Sequence, residues 1–258
     1  MKRIIQKLLL QSYRFALATG ILSTSLGRAA FEFAYSSYKV IFEAGEVGLL
    51  SAYVVEGGTV IDVGANIGFF TLKFAAWVGD SGRVFSIEPE QKNFDRLSQR
   101  VKQHGYISRV SLVQAAAAEK SGELRLAINQ DNPMDHRLSD RGVSVRAITI
   151  DELCALNDWP EVCFVKIDVQ GAEGRVIAGA IETIKRFSPA LFVEIEEGNV
   201  KSDIPGALFW DELTSFGYWP YILEKNGPKR FENIHAMFTF VKVNGYADCL
   251  FLKCKNVQ

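Results

Sequence analysis

The sequence predicts an α/β protein, with a mostly parallel sheet carrying helices on both faces. Three observations predict it. From Thr59 onward, short apolar runs rich in β-branched residues alternate with stretches of helical period, the pattern of strand–helix–strand units. The run Thr59-Val60-Ile61-Asp62-Val63-Gly64-Ala65-Asn66-Ile67-Gly68-Phe69-Phe70-Thr71 reads as a strand, a tight glycine turn and the start of a helix. The 258 residues, 48% of them hydrophobic, suffice for one large domain of this kind plus an appendage.

The appendage is an N-terminal helical extension over residues 1–52, with a helix to Thr19, a break over 20–27 and a second helical stretch. Lys2, Arg3, Lys7 and Arg14 accompany Leu8, Leu9 and Phe15, which fits a helix packed on the domain or one drawn weakly to a membrane surface. No apolar stretch reaches the ~20 residues of a membrane span. In the domain proper, 53–258, strand 59–63 leads to helix 68–78 and strand 83–88 to helix 91–104. A third strand, 110–114, runs into Ala115-Ala116-Ala117-Ala118. The alternation then pauses at two strand patterns, 122–128 and 143–150, that flank a polar loop and read as a hairpin-like insertion. Core strands at 163–167 and 190–193 follow, then a helix over 204–216 and strands at 218–223 and 249–254, with a further strand pattern at 237–243. Asn226-Gly227 and Asn244-Gly245 are turn signals for a closing antiparallel hairpin.

The glycine turn carries the first chemical message. Gly64 lets the backbone leave the strand at angles a side chain forbids and lets a ligand approach the main chain; Gly68 lets the helix pack closely on the sheet. N–H groups at that helix start face the crevice above the strand ends, where open α/β sheets bind ligands. The run Gly64-Ala65-Asn66-Ile67-Gly68 lacks the middle glycine of a dinucleotide fingerprint, which argues against a pyrophosphate. Asp62, at the strand end, suits an ammonium. Glu88 ends the second strand 20 residues beyond Gly68, where a carboxylate takes ribose hydroxyls. A ribose, a cationic amino-acid part and no phosphate describe S-adenosylmethionine. The residues assigned to it are Asp62, Gly64, Ala65, Asn66, Gly68, Phe70 and Glu88.

These stretches, with Ile87-Glu88-Pro89, Ile148-Thr149-Ile150-Asp151-Glu152-Leu153 and Val165-Lys166-Ile167-Asp168-Val169-Gln170-Gly171-Ala172-Glu173, resemble the FkbM family of S-adenosylmethionine-dependent methyltransferases over roughly residues 54–197. The resemblance implies a Rossmann-like class I methyltransferase fold with a mostly parallel seven-stranded sheet. It also implies O-methylation, often of sugar hydroxyls in glycans or natural products, and it lays the adenine against the small Ala115 and Ala116. Gln170 stands where the family usually has Glu. An amide neither serves as a base nor carries charge, so Gln170 takes no catalytic role.

For an alcohol acceptor a base must take the proton as the new bond forms. Asp168, at a strand's carboxyl end, is the first candidate. His136 is the second, since histidine transfers protons near neutral pH; it lies in a polar Asp-His-Arg loop that otherwise reads as a solvated surface. Glu194 is the third. Arg137 is assigned to acceptor oxygens, which a guanidinium orients well. Glu173 reads as structural, in a first helical turn where a carboxylate offsets the dipole. Lys166 has no assignment. Two carboxylates without a third ligand make no metal site, and none is expected.

The net charge of −1 gives no footprint for DNA or RNA, so a small-molecule or glycan acceptor is expected instead. Cys154, Cys163, Cys249 and Cys254 show no C-x-x-C spacing and read as reduced thiols of a cytoplasmic protein. Two other functions stay open at this point: a nicotinamide-dependent oxidoreductase on a related sheet, and a catalytically silent binding module.

Overall fold

The computed structural model describes residues 19–21, 24, 27, 47–129, 136–196, 207–224 and 226–253. The helical extension expected over 1–52 therefore lies mostly outside the described residues, as does Cys254. A 3₁₀ turn, Leu50–Tyr53, precedes the first strand.

Five strands run parallel: β1 (Thr59–Val63), β2 (Arg83–Ile87), β3 (Val110–Val113), β8 (Val162–Ile167) and β9 (Ala190–Glu196). Three more close the sheet antiparallel: β10 (Tyr218–Glu224), β11 (Gly227–Arg230) and β12 (Tyr246–Lys253). The order across the sheet is β11-β10-β12-β9-β8-β1-β2-β3. The expected α/β class is correct, but the sheet has eight strands rather than seven and is mixed. The extra strand, β11, returns from β10 through the Asn226-Gly227 turn, where Gly227 adopts φ +113.

The hairpin insertion forms a sheet of its own. β5 (Gly122–Ala127) pairs antiparallel with β7 (Val143–Ile148), and β4 (Ala116–Ala117) and β6 (Arg137–Leu138) flank them in the order β4-β7-β5-β6. The strand expected to reach Ile150 stops at Ile148, because Thr149 caps helix α3 (Ile150–Ala155) by accepting from the Glu152 N–H at 2.9 Å.

Helices α1 (Phe69–Trp77) and α2 (Gln91–Gln103) cover one face of the large sheet, packing Phe70, Phe74 and Leu97 on Val60, Val84 and Phe164. The other face carries α3, α4 (Glu173–Ala178), α5 (Ile181–Phe187), α6 (Ala207–Ser215) and α7 (Ile234–Asn244), with Val176, Ile184, Trp210 and Met237 against Ile61, Phe85, Val165 and Leu191. The strand pattern read at 237–243 is corrected to α7. Asn233 caps it by accepting from the Ala236 N–H, Gly245 ends it at φ +83, and Met237 and Val241, four residues apart, share its buried side. Asn244-Gly245 is thus a helix stop rather than a hairpin turn. Among the described residues no helix is long and apolar enough to cross a membrane.

Strand alternation has one consequence for function. On the α1 face, where Val60, Val84 and Phe164 are apolar, the next residues of the same parity are Asp62, Ser86 and Lys166, all buried. The polar groups gather at the carboxyl ends of the central strands.

Candidate active site

The turn after β1 is held from three sides. The N–H groups of Gly64 and Ala65 both donate to the Ile87 carbonyl at 3.0 Å, stitching the turn to β2. Arg100 of α2 donates to the Ile67 carbonyl at 2.9 Å. The Asn66 side chain accepts from the Ile67 N–H at 2.7 Å, which steadies Asn66 at its left-handed φ of +49. Gly64 adopts φ +72, and a Cβ there would sit 1.8 Å from the Asp168 carbonyl oxygen, so only glycine lets β1 and β8 end this close together. Gly68 caps α1 at φ +88, and a Cβ there would meet Leu97 of α2, so the close packing it permits is against a helix rather than the sheet.

Glu88 closes the turn from the β2 side. Its carboxylate accepts from the Asn66 N–H at 2.9 Å and from the Glu90 N–H at 3.0 Å. Only 5% of the residue is exposed, and this burial pushes its carboxyl up to about 7, against the smaller opposing pull of those two N–H groups and of Lys166. Ala115 and Ala116 are buried just past β3.

Asp62 behaves differently from its expected role. The side chain is fully buried and presents no bare charge to the crevice. One oxygen accepts from the Thr71 hydroxyl at 2.6 Å, and Ser86 in turn donates to Thr71 at 3.0 Å. The other oxygen lies 3.4 Å from the Lys166 ammonium, so the cation that Asp62 meets is the protein's own. Lys166, whose side chain is 3% exposed, also donates to the carbonyls of Gly64 at 2.8 Å and Val63 at 3.2 Å, and sits 5.2 Å from the centre of the Phe70 ring. Its ammonium is 3.4 Å from Asp168, which keeps 21% of its side chain exposed. The Gln170 amide donates to Asp168 at 3.4 Å from a turn in which Gln170 and Gly171 are both left-handed. Glu173 is buried and accepts from the Gly171 N–H at 2.8 Å, tying that turn down.

A glycine turn and two carboxylate-bearing strand ends thus lie side by side at the carboxyl ends of β1, β2 and β8. The model of the family described as the methyltransferase FkbM domain matches residues 62–246, which contain all of these groups. The chain belongs to the FkbM methyltransferase family. Hexuronic acid methyltransferase AglP of Haloferax volcanii is 26% identical over 172 residues, covering 65% of this chain and 68% of that one. The crystal structure of methyltransferase FkbM from Methylobacillus flagellatus KT superposes with a TM-score of 0.50 at 19% identity; the match covers 96% of this chain and 59% of that longer one, a likeness of fold.

Within this FkbM methyltransferase the remaining sequence-predicted residues fall in two places. β9 continues to Glu196, so Glu194 lies inside the strand, where its backbone faces Asp248 of β12. One step beyond the Ile167–Val193 pair, Asp168 and Glu194 follow on neighbouring strands. His136 and Arg137 are at the outer edge of the second sheet instead. The Asn129 N–H donates to His136 Nδ1 at 3.1 Å, which leaves the ring proton of a neutral His136 on Nε2, and Arg137 is exposed beside Ala127. Residues 130–135 of their loop lie outside the described ones. Among the described residues no group of three or more His, Cys, Asp or Glu is placed to hold a metal. Sequence reasoning missed Thr71 and Arg100. Thr71 sits one helical turn past Gly68 with no motif to mark it, and Arg100 looks like any solvated helix cation. Lys166 had a signal, a charge between Val165 and Ile167 in a buried run, but no partner visible along the chain.

Proposed function

We propose that this methyltransferase takes its methyl group from S-adenosylmethionine and places it on a hydroxyl of a sugar or sugar-bearing small molecule. The observation that carries the reading is the pairing of the Gly64 turn with Glu88. The turn leaves main chain bare where a side chain would collide, and the carboxylate beside it has oxygen lone pairs left for ribose hydroxyls. Asn66, in place of a middle glycine, disfavours a pyrophosphate. The group therefore fits the residues present. When bound, it supplies an electrophilic methyl on a sulfonium, which an acceptor oxygen takes while the carbon–sulfur electron pair stays on sulfur.

This chain's residues bind, orient and move a proton. Glu88 holds the ribose, Gly64, Ala65, Asn66, Gly68 and Phe70 line the donor, and buried Ala115 and Ala116 leave room for a flat ring. Asp62 serves at one remove, by fixing Thr71 of α1 and Lys166 of β8. Asp168, the acid with an exposed edge, takes the acceptor proton, and oriented groups of this kind contribute ~10²–10⁴-fold. Glu194 is the alternative base, His136 a further one once its Nδ1 is released from the Asn129 N–H, and Arg137 orients acceptor oxygens. The sugar acceptor draws support from the AglP relative, a hexuronic acid methyltransferase. Calorimetry with S-adenosylmethionine and S-adenosylhomocysteine tests the donor, and transfer of labelled methyl to hexoses, hexuronic acids and glycosides tests the acceptor. Absence of heat with both the donor and its demethylated product, or tight binding of NADH, overturns the reading.

A further inference from the structure

Lys166 is a buried cation that the proposed chemistry does not consume, and its contacts tie the turn after β1 to the acid that follows β8. We propose that Lys166 is a positioning residue of the methyl-transfer site: its ammonium ties the glycine turn after β1 to Asp168 after β8 and keeps that acid ionised and aimed at the acceptor. The proposal rests on the reading of the crevice as a methyl-donor site.

Four contacts carry it. The ammonium donates to the Gly64 carbonyl at 2.8 Å, at the very residue whose left-handed turn admits no Cβ, and to the Val63 carbonyl at 3.2 Å. It lies 3.4 Å from one oxygen of Asp168 and 3.4 Å from one of Asp62. Among the described residues that Asp62 oxygen has no hydrogen-bond partner, so the ion pair is what offsets its burial. Asp168 in turn donates its N–H to the Val63 carbonyl at 3.2 Å, so the lysine reinforces a junction already made by the main chain. A purely structural lysine would neutralise Asp62 and stop there. Lys166 instead reaches the partly exposed Asp168 and the turn together, with the Phe70 ring centre 5.2 Å from its ammonium.

The charges on this face are Asp62 on β1, Glu88 after β2, Lys166 on β8 and Asp168 just after it, and Glu194 on β9 with Asp248 opposite on β12. Acids outnumber the lysine, so without its charge Asp168 would ionise against like charges in a partly dry crevice and hold its proton to higher pH.

The test is the titration of Asp168, followed by carboxyl carbon NMR in aspartate-labelled full-length protein, with S-adenosylhomocysteine affinity by calorimetry. Lys166→Met is expected to raise the Asp168 midpoint by about one pH unit or more and to weaken the ligand roughly tenfold or more. Lys166→Arg, which keeps the charge, is expected to hold the midpoint within about 0.3 unit of the wild type. Lys166→Gln, which keeps a donor for Gly64 without charge, replaces Met should that variant not fold. In wild-type protein the Lys166 Nζ nitrogen resonance is expected to inflect at the Asp168 midpoint, a readout that needs no variant. A folded uncharged variant with an unmoved Asp168 midpoint or unchanged affinity, or a wild-type Nζ resonance blind to Asp168, overturns the proposal. Wild-type protein that binds no S-adenosylhomocysteine fails the donor reading instead, and the two failures are separable because the titration is read without ligand.

Discussion

Glu88 is a carboxyl group held out of water at the end of β2, and its titration makes a prediction with a definite sign. Its folded value of about 7 exceeds the ordinary 4.5, so between these the folded chain binds more protons than the unfolded one. Its contribution to stability is complete below the unfolded value and is lost as pH rises through the folded value, a change of about 3 kcal/mol. Urea unfolding at about pH 5 and about pH 8 should show that loss in wild-type protein, and Glu88→Gln should flatten it. Binding of S-adenosylhomocysteine should have the opposite slope, weakening as Glu88 protonates, since a carboxylate accepts two hydroxyls better than a carboxylic acid does. At Gly64 the prediction is steric. Gly64→Ala places a methyl group on the Asp168 carbonyl in a left-handed turn, and should destabilise by roughly 2 kcal/mol or more while abolishing the calorimetric signal for ligand.

At the scale of elements, α7 shows how local signals compete. Its apolar run, Met237 to Val243, satisfies a strand pattern as well as a helical one, and the deciding information lies outside the run. Asn233 at one end and Gly245 at the other define a helix four residues longer than the run itself. Asn233→Ala should cost about 1 kcal/mol by freeing the Ala236 N–H, and Met237→Ala about 2–5 kcal/mol by opening a cavity against β12 and its neighbours. Urea denaturation followed by circular dichroism measures both. The central units were legible because each closes its own signals: an apolar run, a glycine turn and a capped helix follow one another within about twenty residues. The insertion was legible as a hairpin and not as a sheet. β4 and β6 are two residues each, too short to leave a period in the sequence.

For the whole molecule, the proposed donor site lies where β1, β2 and β8 end on the α1 face, with the antiparallel strands completing the sheet beyond β9. A ligand seated there stabilises the folded state by mass action, about 2.7 kcal/mol at a hundred times its dissociation constant. For a chain of this length that corresponds to a rise in melting temperature of roughly 5–11 °C. Differential scanning calorimetry with S-adenosylhomocysteine should show it in wild-type protein and lose it in Gly64→Ala.

The sequence by itself determined the βα alternation, the two turn glycines, the acid at the end of β2 and the family motif around Asp168, because each is written in neighbouring residues whose backbone demands are local. Tertiary structure alone decided what those residues face. Asp62 reads as an open charge along the chain, yet the fold buries it against Thr71 and Lys166, the second of these 104 positions away. Side-chain charge is visible in a sequence; the partner that neutralises it is set by strand order, and strand order follows from burying both faces of the sheet at once.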